Sequence, residues 1–295
     1  MAQSCGTAEL AVQVLGSGGP ELADKRASSS YLIWIDGKAR VLVDAGGGAA
    51  LRFSEAGATV SDLDVILFSH LHVDHANDLP ALVKSSYFED RTRALPIYGP
   101  LGNKFMPSTV AYVRALFDGT HGVYRYLGDF LSPLNDATYK LQPRNVDFRS
   151  KLVASRKTSN KIKIVFTNEH MRISATPVLH GAIPALAWSI ESKGKRIVFS
   201  GDTNGEDGNL ELLAAQADLL IAHNAVPEDA GGVERQLHMS PSVIGRIAQT
   251  AEVKQLVLSH RMRRTLGHET ETLGAIKKHY NGPSVFANDL DCFKP

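Results

Sequence analysis

Cysteine is scarce in this chain: two residues in 295, Cys5 and Cys292, near opposite ends. Neither sits in a CxxC spacing, which excludes a cysteine-based metal site of that kind. They read either as two unrelated thiols or as a disulfide tying the ends together, and the bond would imply an oxidising compartment. No run of eighteen or more apolar residues occurs, so no membrane span is expected. Charge of one sign is also missing. The 32 Lys and Arg against 31 Asp and Glu leave a net charge of +1, without the global electrostatic footprint of a protein that grips nucleic acid or an anionic membrane. The opening Met-Ala-Gln-Ser-Cys has neither a charged n-region nor an apolar h-region. With the two cysteines it suggests a periplasmic or otherwise exported mature form, the alternative being a cytoplasmic protein.

What is present is ordinary soluble composition, 43% hydrophobic and 21% charged, ample for a sizeable core. Short apolar or alternating runs predict strands at 10–16, 30–36, 39–46, 62–70 and 95–100. A second group is predicted at 161–167, 171–180, 184–192, 195–203, 217–223, 255–260 and near 283–287. Helices are predicted near 49–56, 103–117, 207–216, 240–251 and 269–280, with another beginning after Asp78, which is placed to cap it ahead of Pro80. Residues 118–160 read as loop and short helices. Two groups of strands, each followed by helices, predict an α/β chain of two mixed sheets with helices on the outer sides. No linker breaks residues 1–295, which are expected to form a single domain.

The segment HLHVDH follows the apolar run Val65-Ile66-Leu67-Phe68. Alternate residues of an extended segment point the same way, so His70 and His72 can share one metal while Asp74 and His75 face a neighbouring one. Imidazole and carboxylate suit zinc, and also manganese or iron. More ligands stand at other strand ends: His180 after ISATPVLH, Asp202 after RIVFSGD and His260 after QLVLSH. In each an apolar strand delivers one polar group to its C-terminal end. His223, ending LLIAH, either orients a ligand or is an ordinary buried histidine. His121, His170, His268 and His279 read as core or surface residues.

HLHVDH, with SGDT (200–203) and LSH (258–260) in order after it, resembles the metallo-β-lactamase superfamily. The resemblance implies the αββα sandwich fold and a dinuclear zinc site with a bridging hydroxide. By that likeness His70, His72 and His180 hold one zinc, Asp74, His75 and His260 the second, and Asp202 bridges both. Asp74 or Asp202 would orient the hydroxide, and the reaction class is metal-assisted hydrolysis without a covalent protein nucleophile.

Within the superfamily, QLHMSPSVIGRIAQ (236–249), PIYGP (96–100) and SGDT resemble ribonuclease Z and the related arylsulfatases. His238 then stands where a histidine acts on the leaving group; it is otherwise a helix-entry residue. The match breaks at the tRNA-grasping arm, since only 21 residues separate His180 from Asp202. The neutral charge also fits poorly with gripping tRNA. The expected substrate is therefore a small anionic ester, phosphodiester before sulfate. The alternative is a lactonase or β-lactamase-type hydrolase, for which Phe105, Met106, Tyr112, Phe117, Tyr124, Tyr126 and Phe130 would line an apolar pocket or else belong to the core. A non-catalytic metal-binding protein is the rival from another class. Arg261, Arg263 and Arg264 either meet the anionic substrate or are surface charge; the basic residues of 151–163 read as a solvated face. A homodimer is the oligomer considered.

Overall fold

A computed structural model describes residues 5–134, 137–148 and 161–295. They form two compact units. The first, residues 1–145 with 287–294, contains strands β1 (Leu10–Gly16), β2 (Ser30–Ile35), β3 (Lys38–Val43), β4 (Val65–Leu67), β5 (Leu95–Pro100) and β6 (Leu141–Val146). Its helices are α1 (Ala49–Glu55), α2 (Val73–Ala76), α3 (Leu79–Ser85) and α4 (Thr109–Phe117). The second unit, residues 146–286, contains β7 (Lys163–Thr167), β8 (Arg172–His180), β9 (Ile183–Ser192), β10 (Lys195–Phe199), β11 (Leu219–His223), β12 (Leu256–Ser259) and β13 (Ser284–Phe286). Its helices are α5 (Asn209–Leu213), α6 (Gly232–Leu237), α7 (Pro241–Thr250) and α8 (Glu269–Lys277). β14 (Cys292–Phe293) belongs to the first unit again.

Each unit is built on a mixed sheet. The first runs in the order β14-β1-β2-β3-β4-β5-β6, the second β13-β12-β11-β10-β9-β8-β7. In the first, β14, β1, β2 and β3 are antiparallel, and β3, β4 and β5 are parallel. In the second, β10 to β13 are parallel and β7 to β10 antiparallel. The near-continuous apolar runs have their explanation in burial: every residue of β1, β2, β4 and β11 is buried, so neither face is left polar. One face of the first sheet packs Leu32, Leu42 and Ile66 against Phe53 of α1, Leu82 and Val83 of α3 and Val113 and Phe117 of α4. In the second, Val198, Leu220 and Leu258 pack against Leu210 of α5, Ile244 and Ile247 of α7 and Ile276 of α8. Each such side chain contributes about 1.5–3 kcal/mol on burial.

Cys5 and Cys292 are joined as a disulfide, the second of the two readings of that pair. Next to it, Asp289 ties the same tail down by accepting from Ser17 N and Oγ (3.0 and 2.8 Å) and from Ala27 N (2.9 Å).

Several expectations need correction. Asp78 precedes α3 but makes no side-chain cap there; its carboxylate accepts from Ala50 N at 2.9 Å, at the start of α1. α4 begins at Thr109, later than expected, where Ser108 Oγ caps Ala111 N. β6, β14 and α6 were not expected at all. Both strands are sheet edges; α6 buries no side chain and so leaves no apolar period to read. Of the basic residues at 151–163, those up to 160 lie outside the described residues, and Lys161 and Lys163 are exposed.

Asp218, at the turn into β11, fixes the pairing of β10 and β11. Its carboxylate accepts from Arg196 N (2.9 Å), Lys254 Nζ (2.9 Å) and Lys195 Nζ (3.2 Å), and its own N–H donates to Arg196 O at 2.9 Å. Burial opposes the charge, but these donors outweigh it and hold the carboxyl below the ordinary aspartate value. With a depressed folded pKa, the stability Asp218 contributes is complete above the unfolded value, about 3.9, and is lost as pH falls through the folded value. Asp218→Asn is expected to lower stability at neutral pH by about 1 kcal/mol or more. The gap to the parent should close in acid. Thermal melts across pH check this, and a gap that does not narrow below about pH 4 would rule out the carboxylate charge as its source.

Candidate metal centre

In the first unit the site residues follow β4. Phe68 stays in the core, and the chain then turns through Ser69 and His70 into the single turn of α2. The turn is held by Asp44, at the end of β3. Its carboxylate accepts from Ser69 N and Oγ, both at 2.7 Å, and from His75 Nδ1 at 2.8 Å. Asp44 has φ +57°, a left-handed conformation that few non-glycine residues adopt. Behind it runs Gly46, where a Cβ would lie 2.1 Å from the Asp74 carbonyl oxygen, so only glycine lets this loop touch the turn. The result brings His70, His72, Asp74 and His75 together. The His70 ring centroid is 4.6 Å from that of His72 and 4.0 Å from that of His75, and His75 Nε2 is 3.6 Å from Asp74 Oδ2. His70, Asp74 and His75 are buried and His72 half-buried.

In the second unit Asp202, just past β10 and buried, is the centre of the arrangement. His180 Nε2 is 3.7 Å from its Oδ2, His260 Nε2 3.4 Å from Oδ1, His223 Nδ1 2.7 Å from Oδ1, and His238 Nδ1 3.9 Å from Oδ2. His223 and His260 stack at 4.8 Å. His260 has φ +53°, so strained backbone appears at a site residue in each unit. His223, one of two readings in the sequence, is a direct neighbour of Asp202. Burial pushes the His238 imidazole down to about 3, with the Asp202 charge pulling the other way.

The donor set fits a divalent metal. His180 Nδ1 lies 2.8 Å from the Leu237 carbonyl oxygen, and His75 Nδ1 lies against the Asp44 carboxylate. Both partners only accept, so each Nδ1 carries the proton and each Nε2 presents its lone pair. That arrangement is how metal-binding imidazoles are oriented. Within the first unit, ligand atoms of His70 and His72 lie within 4.8 Å of each other; within the second, the same holds for His180 with Asp202, and for Asp202, His223 and His260.

Asp44, Ser69 and the Leu237 carbonyl were missed by sequence reasoning. Asp44 carried a usable signal, since VLVD ends an apolar strand in one polar residue as RIVFSGD does. The arginines after β12 are engaged elsewhere. Arg261 is buried, pairs with Glu269 and lies 4.6 Å over the Phe286 ring. Arg264 pairs with Glu234, and Arg263 is exposed. The aromatic residues of 105–131 are divided: Phe117 and Phe130 are core, while Phe105 and Tyr126 are exposed. His121, His170, His268 and His279 are exposed or half-buried and join none of these groups.

The sequence profile of the family described as "Beta-lactamase superfamily domain" matches residues 39–261, a span that includes every group above. The chain belongs to that superfamily. It is therefore a metal-dependent hydrolase. Ribonuclease Z of Haloferax volcanii is 25% identical over 294 residues, covering 93% of this chain and 92% of the relative. Among solved structures, the metallo-β-lactamase fold protein YhfI from Bacillus subtilis aligns with a TM-score of 0.73 at 21% identity, over 97% of this chain and 99% of the other. A diphosphatase from the PhnP family aligns with a TM-score of 0.63 at 17% identity, over 97% and 98%. These structures bear out the expected fold class, the α/β sandwich of two mixed sheets flanked by helices. None of these three proteins is named as a sulfatase, so the comparison lends the sulfate-ester expectation no support. No helix of the described residues is long and apolar enough to cross a membrane.

Asp44→Asn should weaken metal affinity by about 10–100-fold, the usual effect of removing such a partner of a ligating histidine. Competition against a chromogenic chelator measures it. Parent-like affinity in a folded Asp44→Asn protein would show that the Asp44 charge does not orient His75.

Proposed function

We propose that the two groups of ligands together form one dinuclear zinc centre, in a single catalytic domain over residues 1–295, and that it hydrolyses a small phosphodiester or related anionic ester. His70, His72 and His180 would hold one ion, Asp74, His75 and His260 the other, with Asp202 between them. The observation that carries this reading is the pinning of His75 and His180 at Nδ1, which leaves Nε2 of each as the lone-pair nitrogen. Two divalent ions would lower the pKa of water at the site and offset charge on the phosphoryl oxygens. Asp74 orients the attacking water and accepts its proton. His238, buried beside Asp202 and therefore neutral at working pH, donates an N–H hydrogen bond that stabilises charge on the leaving oxygen.

Ribonuclease Z as the name of a relative that covers most of the chain supports phosphodiester chemistry. A substrate smaller than tRNA is supported by β9 and β10, which take up most of the chain between His180 and Asp202, and by the net charge of +1. The Cys5–Cys292 disulfide supports placement in an oxidising compartment.

The test is hydrolysis of bis(p-nitrophenyl) phosphate with metal content measured on the same samples, and a precursor tRNA assayed alongside. Metal-dependent turnover of the small diester with two ions bound is the expected result; cleavage of the tRNA alone would overturn the substrate class. Asp202→Ala should lose both metal and activity, and a variant that keeps two ions refutes the bridging role. His238→Ala should lower kcat by about 10²–10³-fold with metal content unchanged. Loss of metal in that variant would make His238 a ligand instead.

A further inference from the structure

Helix α6 has little to hold it. It is six residues long, buries no side chain, and exposes Val233. A helix so short is unstable by itself. Yet two groups of the site hang on its C-terminal end. The Leu237 carbonyl accepts from His180 Nδ1 at 2.8 Å, and the next residue, His238, is buried within 3.9 Å of Asp202.

The contact that anchors the helix comes from Arg264, in the segment after β12. Its guanidinium pairs with Glu234 in the middle of α6, and its Nε donates to the Ala225 carbonyl at 2.6 Å. Ala225 lies two residues beyond His223, at the end of β11. One arginine therefore joins α6 to the end of a central strand of its sheet. The side chains are 29% and 48% exposed, so the pair has the geometry of a surface ion pair, although its partner helix ends in the residue that precedes His238.

We propose that Arg264 and Glu234 are positioning residues for this chemistry: their pair holds α6 so that the Leu237 carbonyl keeps His180 in one tautomer and His238 stays aligned on the leaving group. Neither residue touches substrate. The part concerning His238 rests on the proposed reading that it donates a hydrogen bond to the leaving group; the part concerning His180 stands without it.

The test compares the parent with Glu234→Gln and Glu234→Asp, the first removing the charge and the second keeping it. In ¹⁵N-histidine NMR of the metal-free protein, the Nδ1–H of His180 should exchange with water about two- to fivefold faster in Glu234→Gln, the range an exposed ion pair supplies, and return toward the parent rate in Glu234→Asp. In the metal-loaded enzyme, kcat for aryl phosphodiesters should fall more for poor leaving groups than for p-nitrophenol in Glu234→Gln, while metal content holds. An unchanged His180 exchange rate overturns the proposal. Faster exchange with equal losses on good and poor leaving groups overturns the part concerning His238 and supports the part concerning His180. If the parent shows no metal-dependent turnover, the proposed function fails, and the exchange rates alone decide whether the pair positions His180.

Discussion

The site depends on acceptors that fix which nitrogen of an imidazole carries its proton. Asp44 does this for His75, and the Leu237 carbonyl for His180. Without a fixed tautomer, a buried histidine presents either a donor or a lone pair at a given nitrogen, and a cation binds it more weakly because it must select and orient the ring itself. The surrounding structure supplies these acceptors at some cost. Asp44 takes a left-handed backbone conformation, and Gly46 gives up a side chain so that the loop can meet Asp74.

Strand ends explain why the ligands were readable. A sheet buried on both faces has polar positions mainly where its strands stop, so an apolar run ending in His or Asp marks a group displayed by a rigid scaffold. His180, Asp202, His223 and His260 all follow this rule. The same logic identifies Asp44, which lies between one strand and a glycine-rich loop and makes its contacts with residues 25 and 31 positions later.

Other features left no local trace. Leu237 acts through its backbone, so its side chain says nothing of the role. β6, with Pro143 and Arg144, and the two-residue β14 are edge strands that lack a buried apolar pattern. Asp78 obeys every rule for a helix cap, yet a tertiary partner, Ala50 N, takes its carboxylate. Local propensity gave way there to a longer-range contact.

The disulfide between residues 5 and 292 closes the chain between them into a covalent ring. Tension applied from outside the ring runs through the sulfur–sulfur bond and leaves the intervening residues unloaded. A single peptide cleavage anywhere inside the ring opens it without separating the pieces. Resistance to pulling, and survival of a nicked chain as one covalent piece, therefore follow the oxidation state of two atoms far along the sequence from each other.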